Sequence, residues 1–295
     1  MISYNPRSWF KFILTFHKED TFRKLLPMLI AISIYSFVIA CVEFFFWHFG
    51  HNNYIKNLYL LHNLLGFVLS LLLVFRTNSA YDRWWEGSIH WYTLVNTSRN
   101  IAMKMNAILP TEDNNNRRFF LQSIPLFAFV LRDHLRISSD FTPMSYTESH
   151  DEFEDVNKSI HKPNKVTNLI YGRLYALQKE KVINAEQLLS VYPDVEKLNE
   201  ICSACERIKN TPIPSSYGIF VKKFVYIYIM TLPFGIIFSL GFYVVPVVAF
   251  IFYVLASLEI IAEEIEDPFG DDANDIPTNS IVVNIKKQIE DILRK

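Results

Sequence analysis

Arg76-Thr-Asn-Ser-Ala-Tyr-Asp-Arg-Trp-Trp-Glu-Gly87 follows directly on an uncharged run of 18 residues, Leu58 to Phe75. A helix rises about 1.5 Å per residue, so that run is long enough to cross a bilayer. It ends in a cluster of Arg76, Tyr81, Arg83, Trp84 and Trp85. Positive charge and Trp or Tyr at the end of an apolar span mark the cytoplasmic membrane interface. A plain anchor does not require this density of specific residue types.

Working outward, the first span is expected at about Leu25 to Phe49, preceded by Lys11, Lys18, Arg23 and Lys24. Basic residues before a first span favour a cytoplasmic N-terminus. The polar connection His48 to Asn57 then lies outside, and the second span returns to Arg76 and Arg83 inside. Polar residues at positions 17–24 argue against a cleavable signal peptide. Glu43, late in the first span, is either a functional intramembrane carboxylate or a residue at the outer interface.

Phe224 to Leu258 carries no charge over 35 residues. One straight helix of that length would span ~52 Å, too long for a hydrocarbon core of ~30 Å. Pro233, Gly235, Gly241 and Pro246 interrupt it. Two spans joined by a tight external turn are expected, with Lys222 and Lys223 on the cytoplasmic side.

The whole chain is less apolar than these runs. It has 295 residues, 20% of them charged, a net charge of −1 and a mean hydropathy of +0.14. A membrane part and an aqueous part are therefore expected side by side. The lack of basic surplus argues against nucleic acid as a partner. The three cysteines cannot form a disulfide framework. Cys202-x-x-Cys205 reads as packing of a helical segment in preference to a redox pair or half a zinc site.

The polar region is expected to be helical. Gly87 to Leu109 continues from the second span, and Phe119 to Leu135 is an amphipathic run. Ile137 to Val166 reads as an exposed excursion. Thr167 to Lys179 and Ala185 to Lys209 follow helical periodicity, as does the stretch from about Thr278 to Leu293. Thr211-Pro-Ile-Pro-Ser215 breaks the chain before the third span. The fold class is all-α: four membrane helices and a helical cytosolic domain. The expected parts are an N-terminal segment 1–24, a hairpin 25–75, a cytosolic domain 76–223, a second hairpin 224–262 and an acidic segment with a C-terminal helix, 263–295.

Two local patterns stay open on residues alone. Phe67, Leu71 and Phe75 fall at i, i+4 and i+8, on one helix face beside Asn63, Gly66 and Ser70. Such stripes are usually packing surface. Glu263 to Pro277 carries closely spaced acids across a Pro-Phe-Gly turn. It either caps the following helix or holds a hard cation such as Ca²⁺, and it lacks the EF-hand spacing.

Three segments resemble one family. They are the second span with Arg76 to Gly87, Cys205-Glu-Arg-Ile-Lys-Asn-Thr-Pro-Ile-Pro214, and Glu266-Asp-Pro-Phe-Gly-Asp-Asp-Ala-Asn-Asp275. Together they are similar to the bestrophin-type channels of bacteria. That resemblance implies a homopentamer in the inner (plasma) membrane, both termini cytoplasmic, with one ion path on the five-fold axis and no enzymatic role. It implies a hydrophobic neck lined by Phe67, Leu71 and Phe75, and an apolar cytosolic aperture at Leu188 or Leu189. The permeant species would be a monovalent ion, chloride by family or sodium as in some bacterial members. No cofactor is required; calcium is possible. Animal relatives hold calcium in an acidic clasp, whose positions match Glu264, Asp267, Asp272 and Asp275. Here Ala273 and Asn274 interrupt the run of acids. In this picture the neck opens by movement of the second span, with Gly66 and an Asn78-Ser79 turn as hinges. The rival readings are a membrane-bound enzyme, a transporter, and a non-conducting scaffold or receptor.

Overall fold

The computed structural model describes residues 21–47, 58–136 and 153–294. Among these the chain is helical throughout, with no strand. The helices are α1 (Thr21–Val42), continued by a π-helical turn (Glu43–Trp47), α2 (Leu58–Ile108), α3 (Asn114–Leu135), α4 (Glu154–Lys158) and α5 (Lys162–Lys179). They are followed by α6 (Ala185–Asn210), α7 (Ser215–Leu240), α8 (Val244–Glu266) and α9 (Thr278–Leu293). The N-terminal segment 1–20, with Arg7, Lys11 and Lys18, and the connection 48–57 lie outside the described residues, as does most of the expected excursion.

The chain divides into two compact units, one within residues 1–83 and 212–266, the other within 84–211 and 267–295. The first contains α1, the start of α2, α7 and α8. Among the described residues, three stretches are long and apolar enough to cross a membrane: Thr21–Phe45, Tyr59–Ile108 and Ser215–Glu266. The last holds both α7 and α8, which meet at a 3₁₀ turn, Gly241–Tyr243. Gly241 adopts φ +51 there, a left-handed conformation that favours glycine. The expected break of the long apolar run is thus made by Gly241, while Pro233 lies within α7.

The core of this unit is built from Leu25, Leu29 and Ile32 of α1, Leu69 and Leu73 of α2, Val221, Val225 and Ile229 of α7, and Val248 and Phe252 of α8. Two tyrosines bond across helices. Tyr35 Oη donates to the Met230 carbonyl at 2.8 Å, and Tyr217 Oη to the Leu72 carbonyl at 3.0 Å. Gly66 permits a close approach: a Cβ there would lie 2.9 Å from Tyr228 Oη.

The second unit contains the rest of α2 with α3, α4, α5, α6 and α9. Trp91, Phe119, Phe120, Phe127, Leu131 and Ile170 are fully buried in one core. Side chains cap the starts of α3, α5 and α6. Asp113 Oδ1 accepts from Asn116 N at 3.1 Å. Asn184 and Gln187 form a capping box at α6. The buried Arg117 guanidinium donates to the Asn106, Leu109 and Pro110 carbonyls, which satisfies the orphan acceptors after α2. On α9, Ile281, Val282, Ile285, Ile289 and Leu293 are buried at helical spacing.

Three expectations need correction. α2 makes no turn at Asn78-Ser79; it runs unbroken from the second span through the expected continuation to Ile108. No proline interrupts it, and the polar residues after Phe75 are as compatible with a helix as the apolar ones before. The stretch before Val166 is not wholly exposed: Phe153 and Val156 are buried, and Phe153 stacks on Phe119 with ring centroids 5.5 Å apart. α5 begins at Lys162, earlier than expected, because His161 caps it and Pro163 occupies its first turn.

Candidate functional site

The stripe on α2 lies outward from its own subunit. Phe67, Leu71 and Phe75 are 63%, 43% and 61% exposed, whereas Leu69 and Leu73 on the other face are 0% and 2% exposed. One face of α2 therefore anchors the helix, and the opposite face offers three large apolar side chains to whatever surrounds the subunit. The stripe carries no charge and no hydrogen-bonding group able to replace an ion's hydration shell. Of the two aperture candidates, Leu188 is 7% exposed and belongs to the core of its unit, so it is not available to line a path. Leu189 is 68% exposed.

Below the stripe on α2 lies a buried charge cluster. Arg76 Nη2 meets Glu266 Oε2 at 2.6 Å, and its Nε lies 3.6 Å from Glu259 Oε1. Glu266 Oε1 accepts from Ile213 N at 2.8 Å, and the Glu266 carbonyl accepts from Arg83 Nε at 3.0 Å. Arg76 and Glu259 are both buried. The arginines of the Arg76–Arg83 segment thus tie α2 to α8, and Glu266 in turn holds the chain just before α7. Sequence reasoning placed Arg76 at the membrane interface and missed these partners, which are remote along the chain. On the same unit Lys24 pairs with Glu264 at 2.6 Å and Lys222 with Glu263 at 2.8 Å. Glu43 sits in the π-helical turn, with its Oε2 buried and without a hydrogen-bond partner.

The acidic segment after α8 is a tight loop. Ile276 N donates to the Pro268 carbonyl at 3.0 Å, and Trp84 Nε1 donates to the Asn274 carbonyl at 2.9 Å. Asp275 is buried; its Oδ2 accepts from Asp272 N at 2.6 Å, and its Oδ1 has no partner. A Cβ at Gly270 would lie 2.7 Å from Asp275 Oδ2, so glycine makes room for that carboxylate. Asp271 is held by Arg136 at 2.7 Å. Burial pushes Asp275 up to about 7 against the opposing hydrogen bond from Asp272, and the charges of Asp272, Asp267 and Asp271 add to the rise.

The orphan Oδ1 and the surrounding acids are chemistry that a hard cation would satisfy. The side-chain oxygens fall short of the six to eight that calcium takes, because one Asp275 oxygen and Asp271 are already engaged. Glu264 belongs to the apolar unit, where Lys24 holds it. The loop thus fits a partial site centred on Asp275, with backbone or water completing the shell.

The raised carboxyl makes a pH prediction. Its folded value lies above the ordinary 3.8. The neutral form is therefore favoured by folding, and its contribution is fully present below about pH 4 and lost as pH rises through about 7. The full effect is at most about 4 kcal/mol. Asp275→Asn is expected to flatten the fall in melting temperature between pH 5 and pH 8. Calcium at pH 8 should raise the melting temperature of the native chain and leave Asp275→Asn unmoved. Identical pH profiles for the two proteins would show that Asp275 does not titrate in this window.

Cys202 and Cys205 are free thiols buried in the core of α6. Burial, with Glu206 beside it, pushes Cys202 up to about 12, and Cys205 is raised as well. Thiols so far from ionisation are packing groups.

Comparison with known proteins fits this arrangement. Residues 1–291 match the family model described as Bacterial/Fungal Bestrophin protein. The chain belongs to the bestrophin family. It is 35% identical over 231 residues to a voltage-dependent anion channel-forming protein of Nostoc sp., covering 76% of this chain and 74% of that one. It is 28% identical over 287 residues to a protein of the same name from Ralstonia nicotianae, covering 97% and 92%. A crystal structure of a point variant of the bestrophin homolog from Klebsiella pneumoniae superposes with a TM-score of 0.83 at 25% identity, covering 92% of this chain and 99% of that chain.

Proposed function

We propose that this chain forms an anion channel of the bestrophin type, passive and not enzymatic, in which several subunits surround one ion path. The observation that carries the proposal is the α2 face on which Phe67, Leu71 and Phe75 stand outward while Leu69 and Leu73 hold the helix in its own core. Relatives with 28–35% identity are named for anion channel formation, which supports the ion class. The subunits form a pentamer, each with four membrane helices: α1, the start of α2, α7 and α8. The termini and the second unit face the cytoplasm of the cell membrane.

In this reading the three side chains form a hydrophobic neck. A ring of Phe and Leu offers no dipoles to a partly dehydrated ion, so a narrow neck dewets and a wider one conducts. Leu189 forms the cytosolic constriction. Because α2 is unbroken through Asn78-Ser79, opening is a displacement or rotation of the helix as a rod, with the contact between Gly66 and Tyr228 as the sliding surface. Calcium, where it binds, does so at the Asp275 loop and strengthens that loop more than it gates.

Purified protein in liposomes is expected to release chloride down its gradient, and bi-ionic reversal potentials in planar bilayers are expected to favour chloride over sodium. Light scattering is expected to give about five times the 34.6 kDa of one chain, after correction for detergent. No flux of either ion, or a monomer, would sink the channel reading; sodium selectivity would overturn the ion class alone.

A further inference from the structure

Three side chains of the second unit take no part in the ion path. His134 lies in the last turn of α3, His161 caps α5, and Glu206 stands near the end of α6. His134 Nε2 is 2.6 Å from Glu206 Oε1, and His161 Nε2 is 2.7 Å from the same oxygen. The two imidazole rings are 4.8 Å apart, centroid to centroid. One donor atom from each of the three lies within 4.8 Å of the others. All three side chains are partly exposed, so an ion and a water have access.

We propose that His134, His161 and Glu206 bind one divalent transition-metal ion of the Zn²⁺ type, with water completing the shell. Two imidazole nitrogens and one carboxylate oxygen suit zinc and its neighbours, whereas calcium and magnesium take oxygen alone. Three protein ligands and an open position form a recurrent zinc arrangement.

The surroundings hold the ligands in place. Cys202, one turn before Glu206 on α6, is buried beside the same carboxylate. Lys209 Nζ donates to the His134 carbonyl at 3.0 Å and fixes the end of α3. Ligand bonds of about 2.0–2.1 Å set tetrahedral donors about 3.4 Å apart. The two short N···O contacts must therefore open by about 0.7 Å, a small rotation for partly exposed side chains.

One hydrogen bond is exchanged in the process. His161 Nδ1 now accepts from Asn164 N at 3.2 Å, so its proton sits on Nε2, facing Glu206. A metal on Nε2 of a neutral ring moves that proton to Nδ1 and releases the cap. A single helix cap is small beside the bonds to a zinc ion. Metal uptake would tie α3, α5 and α6 together at one point and stabilise this unit. Zinc uptake by these side chains does not depend on ion conduction.

The test uses the full-length solubilised protein, stripped with a chelator, dialysed, and titrated with zinc chloride by calorimetry. Bound zinc is counted by elemental mass spectrometry. The native chain is expected to bind one zinc per subunit beyond the number bound by His134→Gln/His161→Asn. Asparagine at 161 keeps a helix cap, so this variant should fold. Glu206→Gln, which preserves the shape of the side chain, is expected to bind at least about tenfold more weakly. Zinc should raise the melting temperature of the native chain and leave that of the double variant unmoved. Equal zinc counts for the native chain and the double variant, or an unchanged affinity in Glu206→Gln, would overturn the proposal and leave a hydrogen-bonded cluster. If the double variant does not fold, the affinity of Glu206→Gln decides by itself.

Discussion

Arg76→Leu is expected to destabilise the apolar unit by about 3–5 kcal/mol, the usual cost of removing one partner of a buried ion pair. Arg76 is the cation between two carboxylates. It reaches Glu266 at 2.6 Å and Glu259 at 3.6 Å, and Glu259 makes no hydrogen bond with either oxygen. Without the guanidinium, the buried Glu259 and the partly buried Glu266 lose the cation between them, and no hydrogen bond to Glu259 offsets the loss. Lysine is a poor substitute, because a point charge cannot serve Glu259 through Nε and Glu266 through Nη2 at once. Glu259→Gln goes the other way. It removes one negative charge from a cluster with two acids and one base, so it should cost less than about 1 kcal/mol or be stabilising. Arg76→Leu/Glu259→Leu should then recover part of the loss. The check is the melting temperature and monodispersity of solubilised protein for the three variants. Arg76→Leu melting together with the native chain would show that the cluster is hydrated and that its geometry carries no such energy.

That cluster also shows where sequence reading stops. The apolar runs and the C-terminal helix from Thr278 to Leu293 were legible because burial on one face imposes a period, or a continuous run, that composition displays directly. That the run from Phe224 to Leu258 must break was legible because length forbids a single span there; which of Pro233, Gly235, Gly241 and Pro246 makes the turn was not. The unbroken passage of α2 through Asn78-Ser79 was not. Arg76 to Gly87 changes from apolar to polar, and a change of surroundings resembles the end of an element although the backbone carries on. Phe153 and Val156 are two apolar residues in a polar stretch, too few to show a period, and only Phe119 reveals why they are buried. The partners of Arg76, and the meeting of His134 with His161 and Glu206, depend on helices distant along the chain. No spacing motif encodes them. The family resemblance supplied the neck positions, and the exposure pattern of α2 agrees with them without deciding what they face.

The alanine series on α2 makes that decision. Phe67→Ala/Leu71→Ala/Phe75→Ala is expected to keep the fold and to raise conductance or open probability at least about tenfold, which corresponds to a barrier lowered by about 1.4 kcal/mol. The three side chains are 63%, 43% and 61% exposed within the subunit, so truncating them removes little of its own core. Leu69 and Leu73, at 0% and 2%, are the opposite case. Leu69→Ala or Leu73→Ala should cost about 2–5 kcal/mol of stability through lost burial and the cavity left behind. Their effect on conduction would follow only from a loosened helix. Neighbouring positions on one helix thus separate two roles: large effects on current with little on melting for the outward stripe, and the reverse for the inward one. A neck that excludes water by apolar walls must respond to their removal, because a wider opening rehydrates and the hydration cost of the ion falls. Single substitutions should rank by the width each side chain occupies, with Phe75→Ala and Phe67→Ala above Leu71→Ala. Native-like currents from the triple variant, together with an unchanged melting temperature, would mean that the stripe faces lipid and that the ion path is lined by another face.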